Sequence, residues 1–256
     1  MEFATTGLIF EGMTSVSALI NATRQGKARR RIIAVYFDKN KIRKERGRFS
    51  FIKHAAEELG FELRIVDTPR LCELVSGNTH GGICAETTEA IYPELVTESI
   101  KPKGFSAVIE GVEDPYSLGY SLRALYACGC DSVLLPRHLP ESADSLLCKS
   151  SAGASELLDI YVGDTFELAL AFKEKGYRVA CAAIPDSDVC YASKLDLPLL
   201  LVIGGEKRGI SANLMSLKDI NVRIPYGRDF LGSLSTASAV SILAYEVLRQ
   251  NSDIDS

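Results

Sequence analysis

The 256-residue chain has no long apolar segment, and this absence narrows the classes of protein to which it can belong. A membrane-spanning helix needs about 20 consecutive apolar residues, and no run approaches that length. The N-terminus also lacks the basic flank and uninterrupted apolar core of a secretory signal. With 46% hydrophobic and 24% charged residues, the composition is that of a globular protein, for which we expect a cytoplasmic location and no membrane partner.

Metal-binding patterns are also missing. The three histidines, His54, His80 and His138, are far apart in the sequence, and none lies at metal-ligand spacing from another. The seven cysteines are scattered without the C-x-x-C pair that zinc sites commonly use. The sequence therefore predicts no metal site, and it predicts that the cysteines are small buried apolar side chains without disulfides.

Two common nucleotide-binding motifs do not occur. The chain contains neither a G-x-G-x-x-G turn nor a G-x-x-x-x-G-K-[ST] phosphate loop. These absences argue against a Rossmann dinucleotide site and against a P-loop nucleoside triphosphatase.

Basic residues are concentrated in one window, although the whole chain carries a net charge of -4. Residues 24–48 hold eleven basic and two acidic side chains, so this window carries +9 and the remainder -13. A charge run is most often a solvated surface, but here two basic groups flank the apolar run 32–37, which favours contact with a polyanion such as RNA. The residues predicted to contact RNA are Arg24, Lys27, Arg29, Arg30 and Arg31.

Helical and strand patterns alternate along the whole chain, which predicts the α/β class. Residues 1–96 are predicted to form a small α/β domain, the polar stretch 97–104 a linker, and residues 105–256 a second domain. In the second domain, continuous apolar runs are separated by helices, which is typical of a parallel sheet covered on both faces. The predicted strands are 32–37, 61–66, 82–87, 107–112, 132–135, 157–162, 177–182, 199–203 and 222–225. The predicted helices are one beginning at a Thr14 or Ser15 cap, then 49–59, 69–74, 117–128, one ending at 150, 165–175 and 233–250.

Ligands of parallel α/β sheets bind beyond the carboxyl ends of the strands, so three loops are the candidates for a site. The first, 113–119, contains an Asp-Pro turn; by itself it is more typical of helix initiation, with Asp114 or Ser117 as the cap and Arg123 as a surface or paired cation. The second, 204–209, has three glycines in six residues, which suits either close approach of a flat ligand or a tight turn with exposed charges. The third, 226–235, runs into a helix rich in small residues.

Together these loops resemble the SpoU/TrmH family of RNA ribose 2′-O-methyltransferases, within the SPOUT superfamily. The first family motif, D-P-x-N-x-G followed by an arginine, is matched by Asp114, Pro115, Gly119 and Arg123. The second, G-x-E-x-x-G after an apolar strand, is matched by residues 204–209. Three motifs in the family order make the resemblance specific.

The resemblance extends over nearly the whole chain. Residues 151–156 are similar to the family's S-A-G-A-x-E stretch, and residues 77–82 are similar to its H-Q-G turn, which closes a ribosomal-protein-like substrate domain. The third motif, I-P-x followed by S-L-N-x-S-x-A and a helix ending near Y-E-x-x-R-Q, is matched by Ile224, Pro225, Ser233, Leu234, Ala239, Tyr245, Glu246, Arg249 and Gln250.

The resemblance implies a homodimeric S-adenosylmethionine-dependent methyltransferase acting on ribosomal or transfer RNA. Its second domain would contain a deep trefoil knot, an exception to the rule that chains do not thread loops. The positions implied to bind the cofactor are Ile203, Gly204, Gly205, Glu206, Gly209, Ile224, Ser233 and Leu234. The positions implied to be catalytic are Arg123, Glu206, Ser117 and Ser235.

The chain departs from the family pattern at two of these positions, because Ser117 and Ser235 stand where the motifs have asparagine. Serine has a shorter reach and fewer hydrogen-bonding groups than asparagine. Three hypotheses therefore remain: an active RNA 2′-O-methyltransferase, a catalytically impaired RNA-binding or ribosome-assembly protein, and a SPOUT enzyme for another substrate. Arg123 is expected to bind phosphate and polarise the ribose hydroxyl, since arginine is a poor base.

Overall fold

The computed structural model describes residues 7–77, 79–137, 143–183 and 187–252 of the chain. Contacts divide the protein into two compact units. One comprises residues 1–91 with 140–157, and the other comprises residues 92–139 with 158–256. The sequence prediction placed 140–157 with the second domain, whereas its contacts lie in the first unit.

The helices and strands alternate along the chain, as the apolar pattern indicates. In chain order they are β1 (Leu8–Glu11), α1 (Gly12–Arg24), β2 (Ile32–Asp38), α2 (Lys39–Ile42), α3 (Arg46–Leu59), β3 (Glu62–Val66), α4 (Thr68–Leu74), β4 (Ile83–Thr87), β5 (Phe105–Glu110), α5 (Pro115–Ala127), β6 (Ser132–Pro136), α6 (Asp144–Ser150), α7 (Ala154–Leu157), β7 (Asp159–Gly163), α8 (Thr165–Glu174), β8 (Arg178–Ala182), β9 (Asp188–Val189), β10 (Leu199–Gly204), α9 (Ala212–Ser216), β11 (Ile220–Arg223) and α10 (Thr236–Asn251).

The first unit is built on a four-stranded mixed sheet in the order β1-β4-β2-β3. Strand β4 pairs antiparallel with β1 and β2, and β2 pairs parallel with β3. Successive side chains of β2 point to opposite faces, so Val35 and Phe37 join the core beneath α1 and α3, while Tyr36 packs with Leu71 of α4. Burial on both faces explains why β2 is a continuous apolar run.

The second unit contains a seven-stranded sheet in the order β7-β6-β5-β10-β8-β11-β9. Every pair of neighbouring strands is parallel, which confirms the predicted sheet type. The strand order reverses at the β5–β10 pair, where a ligand crevice is expected in this architecture. Leu199 to Ile203 of β10 are all buried, and α5 packs against α10.

The predicted boundaries differ from the structure where backbone conformation or capping intervenes. Strand β5 ends at Glu110, two residues early, because Gly111 takes a positive φ of 72°. Helix α10 begins at Thr236 and not at 233, because Ser235 caps it. Helix α1 begins at Gly12, so the predicted Thr14 or Ser15 cap is wrong. Strand β1 ends at Glu11, and the helix follows it directly.

Five of the seven cysteines are buried, as predicted, and burial raises the pKa of the Cys84 and Cys148 thiols to about 12. Cys72 is exposed and Cys128 is half-buried. Among the described residues, no cluster of potential metal ligands occurs, and no helix has the length and apolar character needed to cross a membrane.

Candidate active site

A cavity of 410 Å³ lies beyond the carboxyl ends of β8, β10 and β11. Its walls come from the glycine loop 204–209, from the loop 224–235 and from the first turns of α10. All eight positions predicted to bind the cofactor line this single cavity: Ile203, Gly204, Gly205, Glu206, Gly209, Ile224, Ser233 and Leu234. Segments separated by about twenty residues in the sequence thus converge on one site.

Close backbone contacts determine the shape of the glycine loop. A Cβ atom on Gly205 would lie 2.1 Å from the carbonyl oxygen of Gly111, and one on Gly204 would lie 2.2 Å from the carbonyl carbon of Gly209. The N–H of Gly209 donates to the carbonyl of Gly205 at 2.9 Å, and Gly209 has a φ of 64°. Glycine is therefore needed at 204 and 205 for space and at 209 for conformation.

Glu206 links the glycine loop to α10. Its Oε1 accepts a hydrogen bond from the backbone N–H of Thr236 at 3.2 Å, at the first residue of the helix. A carboxylate is favourable at a helix N-terminus, where unpaired N–H groups carry partial positive charge. Glu206 therefore holds two walls of the cavity together, a role that its motif position alone did not indicate.

Ser235 caps the N-terminus of α10, at the position where the family motif has asparagine. Its Oγ accepts from the backbone N–H of Ser238 at 3.2 Å and lies 2.9 Å from the Ser238 hydroxyl. Serine and asparagine are about equally good N-cap residues. The replacement at this position thus preserves the local capping function.

The first loop is organised by Asp114, whose Oδ2 accepts from the backbone N–H of Ser117 at 2.8 Å and caps α5. Arg123 lies further along α5, with its side chain exposed and without an ion pair or hydrogen bond among the described residues. Neither Arg123 nor Ser117 lines the cavity. The structure therefore brings Glu206 and Ser235 close to the predicted cofactor site but leaves Arg123 on the helix surface.

The cavity fits S-adenosylmethionine, the cofactor that the family resemblance implies. Its lining is largely apolar, with Met215, Val222 and Leu243 among the side chains, and backbone groups of the glycine loop provide hydrogen-bonding partners. The charged side chains of the lining are Glu206 and Arg223. An adenine ring suits the apolar walls, and the charged methionine end suits one carboxylate and one guanidinium.

Glu110 supports the glycine loop from outside the cavity, and the sequence analysis missed it. Its Oε2 accepts from the backbone N–H of Ser211 at 2.8 Å, and its Oε1 accepts from the Thr165 hydroxyl at 3.4 Å. The carboxylate thereby ties the end of the glycine loop to the start of α8. The available signal was an acidic residue at the end of a buried apolar strand.

Two arginines predicted to contact RNA are buried in the first unit. Arg30 is 6% exposed, pairs with Asp144 at 2.8 Å and Glu156 at 3.3 Å, and stacks on the Phe10 ring at 4.7 Å. Arg29 is 9% exposed and pairs with Glu156 at 3.5 Å. Their assignment as RNA-binding residues is therefore corrected, because these guanidinium groups form ion pairs inside the unit.

The other predicted RNA contacts are only partly available. Arg24 pairs with Glu58 at 2.6 Å, and Lys27 donates to the Leu157 carbonyl at 3.3 Å, whereas Arg31 is exposed. Exposed positive charge of this unit is concentrated instead in a basic segment, residues 39–48, which spans α2 and the start of α3. Its members with no ion pair among the described residues are Lys41, Arg43, Lys44 and Arg46.

Comparison with known proteins agrees with this arrangement. Residues 104–245 match the SpoU rRNA methylase family, and residues 10–93 match the RNA 2′-O ribose methyltransferase substrate-binding domain. The chain is 28% identical to the 23S rRNA (guanosine-2′-O-)-methyltransferase RlmB of Photorhabdus laumondii over 95% of this chain and 98% of that protein. It is 27% identical to the RlmB of Ralstonia nicotianae over 87% and 90% of the two chains.

A solved structure shows the same fold. The AdoMet-bound rRNA methyltransferase from Sinorhizobium meliloti superposes with a TM-score of 0.77, at 18% sequence identity, over 95% of this chain and 87% of that one.

Proposed function

Because the chain belongs to the SpoU rRNA methylase family, we propose that it methylates a ribose 2′-hydroxyl of ribosomal RNA, with S-adenosylmethionine as methyl donor. The observation that carries this proposal is the convergence of all eight predicted cofactor positions on one cavity. The family assignment makes the chain an S-adenosylmethionine-dependent RNA 2′-O-methyltransferase. The choice of ribosomal over transfer RNA follows the activity of the RlmB relatives.

The protein's contribution to such a reaction is mainly alignment. The bound cofactor supplies an electrophilic methyl group on a positively charged sulfur. Glu206 and Ser235 hold the loops that shape the cavity, so that the methyl group and the ribose oxygen can be placed in line. The guanidinium of Arg123 would stabilise negative charge on the hydroxyl oxygen as the hydroxyl proton passes to water, or would bind the adjacent phosphate.

A second copy of the chain is part of this proposal, because Arg123 lies outside the cavity within one protomer. Tyr116 and Tyr120, 48% and 53% exposed, share one face of α5 with Arg123. On α10, Ile242 and Tyr245 are 41% and 59% exposed. A homodimer would cover these apolar groups and would place Arg123 of one protomer near the cofactor of its partner.

The basic segment 39–48 is the proposed RNA-binding surface of the first unit. It lies within the part of the chain that matches the substrate-binding domain. Arg43, Lys44 and Arg46 are exposed and Lys41 is half-buried, and phosphate groups attract such positive charge without requiring a particular sequence. This surface replaces the buried Arg29 and Arg30 as the candidate for RNA contact.

The proposal is tested by cofactor binding and by methyl transfer. Calorimetry should detect binding of S-adenosylhomocysteine, and tritium from labelled cofactor should pass to unmodified ribosomal RNA transcribed in vitro. Arg123→Ala should lower turnover at least about 100-fold with cofactor affinity unchanged. Lys103→Ala, which removes an exposed cation outside the cavity, should leave turnover unchanged.

The serine replacements favour one competing function, a catalytically impaired RNA-binding or assembly protein. In that case RNA binding would persist while no cellular RNA accepted a methyl group. Methyl transfer by a Ser117→Asn/Ser235→Asn variant, without transfer by the wild type, would identify a decayed enzyme. Absence of cofactor binding at millimolar ligand would contradict the proposed function outright.

A further inference from the structure

A second cleft, of 900 Å³, lies beyond the carboxyl ends of β5, β6 and β7. It adjoins the cofactor cavity, because Gly209 of the glycine loop lines both. None of the motif positions predicted to be catalytic lines it. A ligand in this cleft would therefore lie next to the cofactor cavity at Gly209.

Two of the acidic side chains in the cleft are already engaged. Glu110 accepts hydrogen bonds from Ser211 and Thr165, as described above. Asp164 caps α8 by accepting from the backbone N–H groups of Phe166 at 2.9 Å and Glu167 at 3.3 Å. These contacts satisfy part of the acceptor capacity of both carboxylates and offset their charge, so they weaken the repulsion of an anionic ligand.

The cleft also contains two available cations, Arg137 and Arg208. Both side chains are exposed, and neither has an ion pair or hydrogen bond in the part of the chain that the structure describes. Arg208 projects from the glycine loop, which is fixed by the close contact of Gly205 with Gly111. Arginine binds phosphate oxygens with two parallel hydrogen bonds, and a fixed loop reduces the entropy lost in forming them.

We propose that this cleft receives the target nucleotide of the RNA substrate, with Arg137 and Arg208 binding its flanking phosphates. The inference deepens the proposed function and depends on it. The remaining acid of the lining, Glu113, offers an acceptor for a base amino group or a ribose hydroxyl. A phosphate held at Arg208 would keep the ribose at Gly209, where the cleft and the cofactor cavity adjoin.

The test measures RNA binding separately from catalysis. Unmodified ribosomal RNA transcripts are titrated in the presence of S-adenosylhomocysteine, at several salt concentrations. Arg137→Ala and Arg208→Ala should each weaken RNA binding about tenfold. Each should also reduce the slope of log affinity against log salt concentration by about one, the change expected for one lost phosphate contact. Lys175→Ala removes an exposed cation that lines neither cavity, and it should change neither quantity.

Further measurements separate phosphate binding from a structural role and RNA from a free nucleotide. Arg208→Ala should retain the wild-type affinity for S-adenosylhomocysteine and should raise the KM for RNA while kcat changes little. Guanosine 5′-monophosphate should compete with RNA only weakly; strong competition would assign the cleft to a free nucleotide. RNA affinity and salt dependence unchanged in both arginine variants would overturn the inference, even if the wild type methylates RNA. Failure of the wild type to bind the cofactor would instead reject the proposed function.

Discussion

The carboxylate of Glu206 and the backbone N–H of Thr236 are joined by a hydrogen bond of 3.2 Å. This contact connects residues thirty positions apart and fixes the glycine loop against the first turn of α10. Because both elements line the proposed cofactor cavity, this carboxylate helps to fix the shape of that cavity.

Replacing Glu206 by alanine should weaken cofactor binding. The N–H of Thr236 would lose its partner, and a lost hydrogen bond to a charged group corresponds to about a tenfold decrease in affinity or more. Glu206→Gln keeps an acceptor oxygen and should bind S-adenosylhomocysteine more tightly than Glu206→Ala. Calorimetry on both variants checks this order, and equal affinities would show that the hydrogen bond does not shape the cavity.

Two glycines of the same loop should respond differently to alanine. At position 205 a Cβ would collide with the Gly111 carbonyl, so Gly205→Ala should abolish measurable cofactor binding. At position 209 no atom lies within 4 Å of the added Cβ, and only the positive φ opposes it, at about 1–2 kcal/mol. Gly209→Ala should therefore lower thermal stability slightly and retain binding. Normal affinity in Gly205→Ala would contradict the observed packing.

Removing Arg30 should destabilise the first unit. Its loss would remove the ion pair with Asp144 and would leave Glu156 paired with Arg29 alone, and breaking a buried ion pair costs about 3–5 kcal/mol. Arg31→Ala, at an exposed neighbour, should change the free energy of unfolding by no more than about 0.5 kcal/mol. Urea denaturation measures both values, and similar stability of the two variants would argue against the buried network.

The Ser235 position should tolerate asparagine better than alanine. Ser235→Ala removes the cap of α10 and should lower the free energy of unfolding by about 1 kcal/mol, whereas Ser235→Asn should change it by only a few tenths. Thermal melts of the two variants give the comparison. Methyl-transfer rates should be equal or higher in Ser235→Asn, and a large decrease would mean that the serine hydroxyl has a role beyond capping.

Acid should destabilise the first unit partly through Glu11. Burial acts to raise the pKa of this carboxyl, but hydrogen bonds from Lys149, Ser76 and Gly77 outweigh burial, so the pKa is lowered. A carboxyl with a lowered pKa stabilises the folded state above its unfolded pKa, about 4.3, and loses this contribution as the pH falls through its folded pKa. Glu11→Gln should thus be less stable than wild type at neutral pH, and the difference in stability should vanish below the folded pKa of Glu11.

Denaturation of wild type and Glu11→Gln at several pH values measures this effect. Glu57→Gln is the matched control, since Glu57 is exposed on α3. A stability difference between wild type and Glu11→Gln that did not change with pH would indicate a packing effect and not ionisation.

The sequence predicts elements that are buried on both faces better than elements defined by long-range contacts. The apolar runs of β2 and β10 identify these strands almost to the residue. By contrast, β1 has only four residues and depends on pairing with β4. Short elements of this kind carry too little periodicity to be distinguished from loops.

Charge counting was least informative where acids distant in sequence neutralise the basic residues. Arg30 meets Asp144, which is 114 residues away in the sequence, so the local excess of positive charge around it does not imply exposure. Glu110 was missed for a similar reason, because its partner Ser211 lies 101 residues further on. The glycine loop lines a cavity, and its tight turn depends on glycines that are close together in the sequence, so the sequence could single it out.

The placement of residues 140–157 with the first unit has a consequence for the modularity of the chain. Helix α6 contributes Cys148 to the core beneath α1, and Gly153 is so close to Ala18 that a Cβ would lie 2.4 Å from it. The first unit is therefore discontinuous in sequence, and a single cut near residue 96 would leave each fragment with an uncovered apolar surface. Exchange of the first unit between relatives requires that residues 1–91 and 140–157 be replaced together. Recombination near residue 96 alone should therefore yield insoluble chimeras.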